Sequence, residues 1–126
     1  MQVIGTHLIQ IVALLSVFAF FTPQDRDTQK IESLYGTVVE VTYLPASTPA
    51  AKIVEVRIKV SDKKLRVRLA PASFLNEYGF EQKPGDDIYV RGYRLYEADG
   101  ELMVALEIGR ENRKLTLRND RGQPIW

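Results

Sequence analysis

The stretch IVEVRIKVSDKKLRVRL, residues 53–69, constrains the fold of this chain more than any other. Val54, Val56, Ile58 and Val60 alternate with Glu55, Arg57 and Lys59, and after Ser61-Asp62-Lys63 the alternation resumes with Leu65, Val67 and Leu69 against Arg66 and Arg68. A period of two sends successive side chains to opposite faces of a strand, whereas a helix repeats every 3.6 residues. Two such runs joined by a short polar turn form a hairpin with an apolar inner face and a charged outer face.

The same period recurs on both sides of the hairpin. Tyr35 to Tyr43 reads as a first strand, with Thr37, Val39, Val41 and Tyr43 on one face and Gly36 allowing a bend or bulge. Leu44 to Ala51 holds Pro45 and Pro49 among small residues and reads as a surface loop. After the hairpin, Pro71 suits a first helical position, Phe74, Leu75 and Tyr78 share a face, and Gly79 supplies a left-handed stop followed by apolar Phe80. Lys83 to Asp86 is a turn, Asp87 to Tyr93 a fourth strand, and Glu97 to Gly100 a hairpin turn. Glu101 to Ile108 is a fifth strand with Leu102, Val104, Leu106 and Ile108 on one face, and Leu115 to Arg118 a short sixth. Three strands, a helix and two strands is the order of the OB fold, a small partly open Greek-key barrel; a split barrel or a small sandwich shares the strand count. The expectation is an all-β, OB-like barrel of five to six strands over residues 31–126, with one short capping helix between strands 3 and 4.

The amino-terminal residues are a different material. Residues 3–21 carry no charge, and the dense apolar part over residues 8–21 suits a signal-peptide core better than a full membrane span of about 20 residues. Residues 1–22 are therefore expected to be a signal peptide, cut after Ala19 or soon beyond, or else an uncleaved anchor, with residues 23–30 a solvated spacer. This implies a periplasmic or secreted protein, membrane-anchored if the segment is retained.

The second half resembles a family of small exported bacterial OB-like domains. The matching stretches are Leu69-Ala70-Pro71, Gly79-Phe80, Pro84-Gly85-Asp86, Val90-Arg91-Gly92, Ala105-Leu106-Glu107-Ile108 and the closing run from Leu117 to Trp126. Ala70 and Leu106 stand where that signature has glycine and arginine. The resemblance implies an exported OB-like domain and brings no reaction with it.

Composition narrows the function. With 17 Lys and Arg against 16 Asp and Glu, the net charge of +1 gives no global field for nucleic acid or anionic membrane. Cysteine is absent and the sole histidine, His7, lies in the leader, so Ser-His and Cys-His catalysis are excluded for the mature domain. Asp86 and Asp87 follow Pro84-Gly85 as turn and solvent residues, and no calcium-loop spacing is present. No catalytic residue, metal site or cofactor is expected. The prospect is binding. Arg57, Lys59, Arg66 and Arg68 lie on the outer face of strands 2 and 3, where many OB domains receive oligonucleotides or oligosaccharides; the plainer account is a solvated face with Glu55 and Asp62 nearby. Those strands have no aromatics, but Tyr43, Tyr89, Tyr93 and Tyr96 can approach from neighbouring elements. Trp126, the only tryptophan, ends a polar tail and is expected to pack on a barrel end that the helix does not reach, or else to stack on a ligand. The residues singled out for a ligand are Arg57, Lys59, Arg66, Arg68, Tyr93 and Trp126. The expected role is a non-enzymatic module for a protein partner in the exported compartment, with single-stranded nucleic acid or another polyanion as the alternative.

Overall fold

The computed structural model describes residues 30–126. The leader expected over residues 1–22, and the spacer as far as residue 29, lie outside the described residues. The strands are β1 (Ile31–Tyr43), β2 (Ile53–Val60), β3 (Lys63–Pro71), β4 (Asp87–Glu97), β5 (Gly100–Arg110) and β6 (Arg113–Thr116). Among the described residues one helix, α1 (Ala72–Glu77), sits between β3 and β4, and one 3-10 turn, Pro49–Ala51, interrupts the loop after β1.

The sheet runs β3-β2-β1-β4-β5-β6, and a further β3–β5 pairing closes the first five strands into a barrel. β3 and β5 run parallel, with Arg66 opposite Leu102 and Arg68 opposite Val104. This is the OB-like arrangement, with β6 added to the end of β5. β1 serves two partners: its first half pairs with β4 and its second with β2, and Thr37 faces both Asp87 and Lys59.

Val38, Val56, Ile58, Val67, Leu69, Val90 and Met103 are fully buried in the core, and Leu75 of α1 and Phe80 cover it. The helix ends as its sequence dictates. Gly79 adopts φ +72°, its N–H donates to Asn76 O at 3.1 Å, and Phe80 N–H donates to Leu75 O at 2.8 Å, the paired bonds of a Schellman stop. Pro71 closes β3 and precedes the helix, which begins at Ala72.

Two strands depart from simple alternation. In β1 the register jumps between Val38 and Glu40, so Val39 is the extra residue of a bulge. Val38, not Val39, enters the core, and the face expected to hold Thr37, Val39, Val41 and Tyr43 is split; Tyr43 is 55% exposed. The Lys83–Asp86 turn secures the bulge, with Val38 N–H donating to Asp86 O at 2.8 Å and Gly85 N–H to Val38 O at 2.7 Å. In β5 the jump opposite Arg91/Gly92 makes Leu106 the extra residue. Met103, Ala105 and Ile108 therefore face the core, while Leu102, Val104 and Leu106 are buried outside the main cluster.

Candidate functional site

Alternation along β2 places Glu55 on the solvated face, yet it is 5% exposed. A register shift lies between Ile53 and Glu55, and the side chains of β3 close over the carboxylate. Arg66 Nη1 donates to Glu55 Oε1 at 3.3 Å, and Arg68 Nε donates to Oε2 at 3.2 Å. The parallel β3–β5 pairing brings the β4–β5 hairpin alongside, so Asp99 lies 3.3 Å from Arg66 and Glu97 3.4 Å from Arg68. Three carboxylates thus face two guanidiniums. Arg57 makes a longer, exposed pair with Glu40 at 3.7 Å, and such a pair contributes about 0–1 kcal/mol. Lys59 lines a different groove, described below. The four cations singled out from the sequence share strands but do not form one basic patch. A cavity of about 320 Å³ on this face is lined by Glu40, Glu55 and Asp99 as well as by Arg57 and Arg66.

The carboxyl-terminal tail is ordered by its own hydrogen bonds. Asn119 Oδ1 accepts from Arg121 N–H and Gln123 N–H at 2.9 and 3.0 Å, which folds the turn back on itself. Arg118 bridges to Pro124, Ile125 N–H donates to Leu117 O, and Leu117 N–H donates to Leu106 O, so the tail returns along β5. Tyr93 lies half-buried beneath it, since a Cβ added at Gly122 would come within 2.7 Å of the tyrosine hydroxyl. Of the residues singled out, Tyr93 and Trp126 therefore belong to the tail and its seat, apart from the β2–β3 cations.

Trp126 packs, though not where the sequence placed it. Its ring meets Phe74 of α1 at 5.8 Å between centroids, and Phe74 meets Tyr78 at 5.0 Å. The indole stacks on the helix itself, because Pro124 and the Asn119 turn steer the chain back over β5 towards α1. Arg118 also holds its guanidinium carbon 4.8 Å from the ring centroid. Arg118 is buried and donates to Ala105 O at 2.6 Å. None of the carboxylates among the described residues forms an ion pair with it, and burial pushes its pKa down to about 10. Trp126 remains 40% exposed, beside Ile125 and Tyr78, which are about half exposed. The result is a ridge of three rings with one face on the protein and one in solvent.

Sequence reasoning missed Tyr35. It lies opposite Tyr89 in the β1–β4 register, the two rings 5.2 Å apart. The pairing of β1 with β4 was not readable locally, and outward alternation at both positions was the only available signal. Asp86 and Asp87 serve structure: Asp86 Oδ2 accepts from Lys83 N–H and pairs with Arg110 at 3.3 Å, and Asp87 Oδ1 accepts from Thr37 Oγ1 at 2.9 Å. Among the described residues no three His, Cys, Asp or Glu side chains gather as a metal site.

A closed five-strand barrel with one short helix between β3 and β4 defines an OB-like domain. The model of the MamS/MamX magnetosome protein family matches residues 30–115, and the chain belongs to that family. The closing motif from Leu117 to Trp126 lies beyond the matched residues. No curated protein matches the chain. Among solved structures, a chain in the crystal structure of the S. pombe Stn1-Ten1 complex is similar, with 12% identity and a TM-score of 0.49 over 66% of this chain; the match spans 59% of that chain's length.

Proposed function

We propose that this protein is an exported, non-enzymatic module that docks a protein partner in the magnetosome system through the Tyr78–Phe74–Trp126 ridge. The observation that carries the reading is the ridge itself: three rings in succession, with Phe74 partly buried on the core and Tyr78, Trp126 and the adjacent Ile125 about half exposed. Tyr and Trp supply wide contact area at low conformational cost, and such residues dominate protein interfaces. The family name supports the magnetosome setting, and the charge-free segment of residues 3–21 supports export. A non-enzymatic role is supported by the absence of cysteine and of any histidine beyond the leader. Polyanion binding through β2 and β3 is the weaker reading, because Arg66 and Arg68 are already engaged by Glu55, Glu97 and Asp99.

Crosslinking of the full-length protein in its native host, followed by mass spectrometry, tests the reading. A defined partner crosslinked near residues 74–78 and 125–126, and lost on Tyr78→Ala with Trp126→Ala, supports it. The same partner captured by wild type and double variant alike refutes the ridge as the docking surface.

A further inference from the structure

Where β1 passes from β4 to β2, the outer face of the barrel holds a groove of about 560 Å³, bounded by Ser61 and Glu111 at the tips of the β2–β3 and β5–β6 hairpins. We propose that this groove binds an uncharged saccharide, with one sugar ring stacked on Tyr35. The site is separate from the Trp126 ridge and does not depend on what docks there.

The floor is built by register. Tyr35 and Thr37 stand opposite Tyr89 and Asp87, and Thr37 also stands opposite Lys59, so one aromatic pair and three polar groups converge from β1, β2 and β4. Tyr35 is 75% exposed. Its ring leans on Tyr89 at 5.2 Å with a 52° tilt, which fixes one side and leaves the other open. Tyr89 in turn carries Lys114 over its ring, with Nζ 4.9 Å from the centroid. The exposed, electron-rich face of Tyr35 attracts the weakly positive C–H groups on one face of a pyranose.

The polar groups fit hydroxyls. Asp87 uses Oδ1 on Thr37 and keeps Oδ2 as an acceptor. Lys59 makes no ion pair with any described residue and supplies three donors, and Ser61 can donate or accept. Charge selects among ligands. Lys59 and Lys114 are offset by Asp87 and Glu111, so the groove has no field to attract a phosphate backbone, and an anionic ligand would meet two carboxylates. A base could also stack on the open face of Tyr35, so it is the missing phosphate-attracting charge that separates a neutral sugar from single-stranded nucleic acid. A neutral, hydroxyl-rich ring satisfies both the platform and the balanced charges.

The test is a titration of the full-length protein with two neutral probes, maltotetraose and tetra-N-acetylchitotetraose, followed by NMR shifts and calorimetry. Saturable binding of at least one probe is expected at about millimolar or tighter, with shifts centred on Tyr35, Tyr89 and Lys59. Tyr35→Ala should weaken it about tenfold and Tyr35→Phe should largely retain it, as expected for a stacking ring. Affinity should not change between low and high salt. Tyr35 is exposed, so Tyr35→Ala should leave the melting midpoint near that of the wild type and keep a binding loss interpretable. Failure of both probes to bind, or binding whose shifts centre on the Trp126 ridge, overturns the proposal. So does steeply salt-dependent binding of single-stranded oligo(dT) in this groove.

Discussion

Replacing Glu55 by glutamine keeps the shape of the side chain and removes the charge at the centre of the β2–β3 cluster. Breaking a buried ion pair by removing one partner costs about 3–5 kcal/mol. Here the arginines are not fully buried, with Arg66 and Arg68 side chains 21% and 25% exposed, and each keeps a carboxylate from Glu97 or Asp99. The substituted amide also retains one acceptor oxygen. The cost should therefore fall below that range, at about 2 kcal/mol. For a domain of roughly 100 residues, 1 kcal/mol corresponds to about 4–8 °C, so the midpoint should drop by about 8–16 °C. Thermal and urea unfolding of the two proteins measure this directly. Glu40→Gln is the internal comparison: its partner Arg57 is exposed and 3.7 Å away, so its loss should cost less than about 1 kcal/mol. A fall of less than about 3 °C for Glu55→Gln, or equal effects of the two variants, refutes the assignment of Glu55 as the buried anchor of Arg66 and Arg68.

Gly92→Ala should destabilise by about 1–3 kcal/mol or more, because the new Cβ would collide with the Val104 carbonyl and sit 3.1 Å from Ala105 Cα at the β5 bulge; denaturant unfolding reads the loss. Trp126→Ala should cost about 1–2 kcal/mol in urea unfolding, below the roughly 3–5 typical of fully packed tryptophan, because the indole is 40% exposed. The hydrogen bond from Arg94, followed by that from Tyr96, holds the Glu101 carboxyl below its ordinary pKa. The folded state therefore binds that proton more weakly than the unfolded state. The stabilisation is present above the ordinary carboxylate pKa and is lost as the pH falls through the lower folded value. The difference in melting midpoint between wild type and Glu101→Gln should accordingly shrink from about pH 7 to about pH 3.

The hairpin of β2 and β3, the helix stop at Gly79-Phe80 and the strand order were legible because each rests on local spacing. The phases of β1 and β5 were not. Val38-Val39 and Ala105-Leu106 are adjacent apolar pairs, so a bulge can switch the inward face there without leaving a polar residue inside, and the pattern alone carries no mark of it. Glu55 alternated correctly as an outward residue. Its burial comes from Arg66 and Arg68 folding over it under Glu97 and Asp99, which meet only when β5 closes on β3, about thirty residues away in sequence. The Tyr35–Tyr89 pair depends on another distant pairing, that of β1 with β4. The tail was legible in part: its strand, turn and extended proline segment announced an ordered end, but the position of α1 decided which surface Trp126 would meet.

Arg57, Arg66 and Arg68 on the outer face of β2 and β3 are paired with the protein's own carboxylates, and titrating the full-length protein against fluorescent single-stranded oligo(dT) by anisotropy tests most directly whether that face is closed to polyanions. At low salt, about 50 mM, no saturable binding is expected at protein concentrations up to about 100 µM, within the range where non-specific binders saturate. Binding that weakens with salt at a log-log slope of about −0.7 per phosphate contacted, and that is abolished by Arg66→Glu with Arg68→Glu in a variant that remains folded, would contradict it.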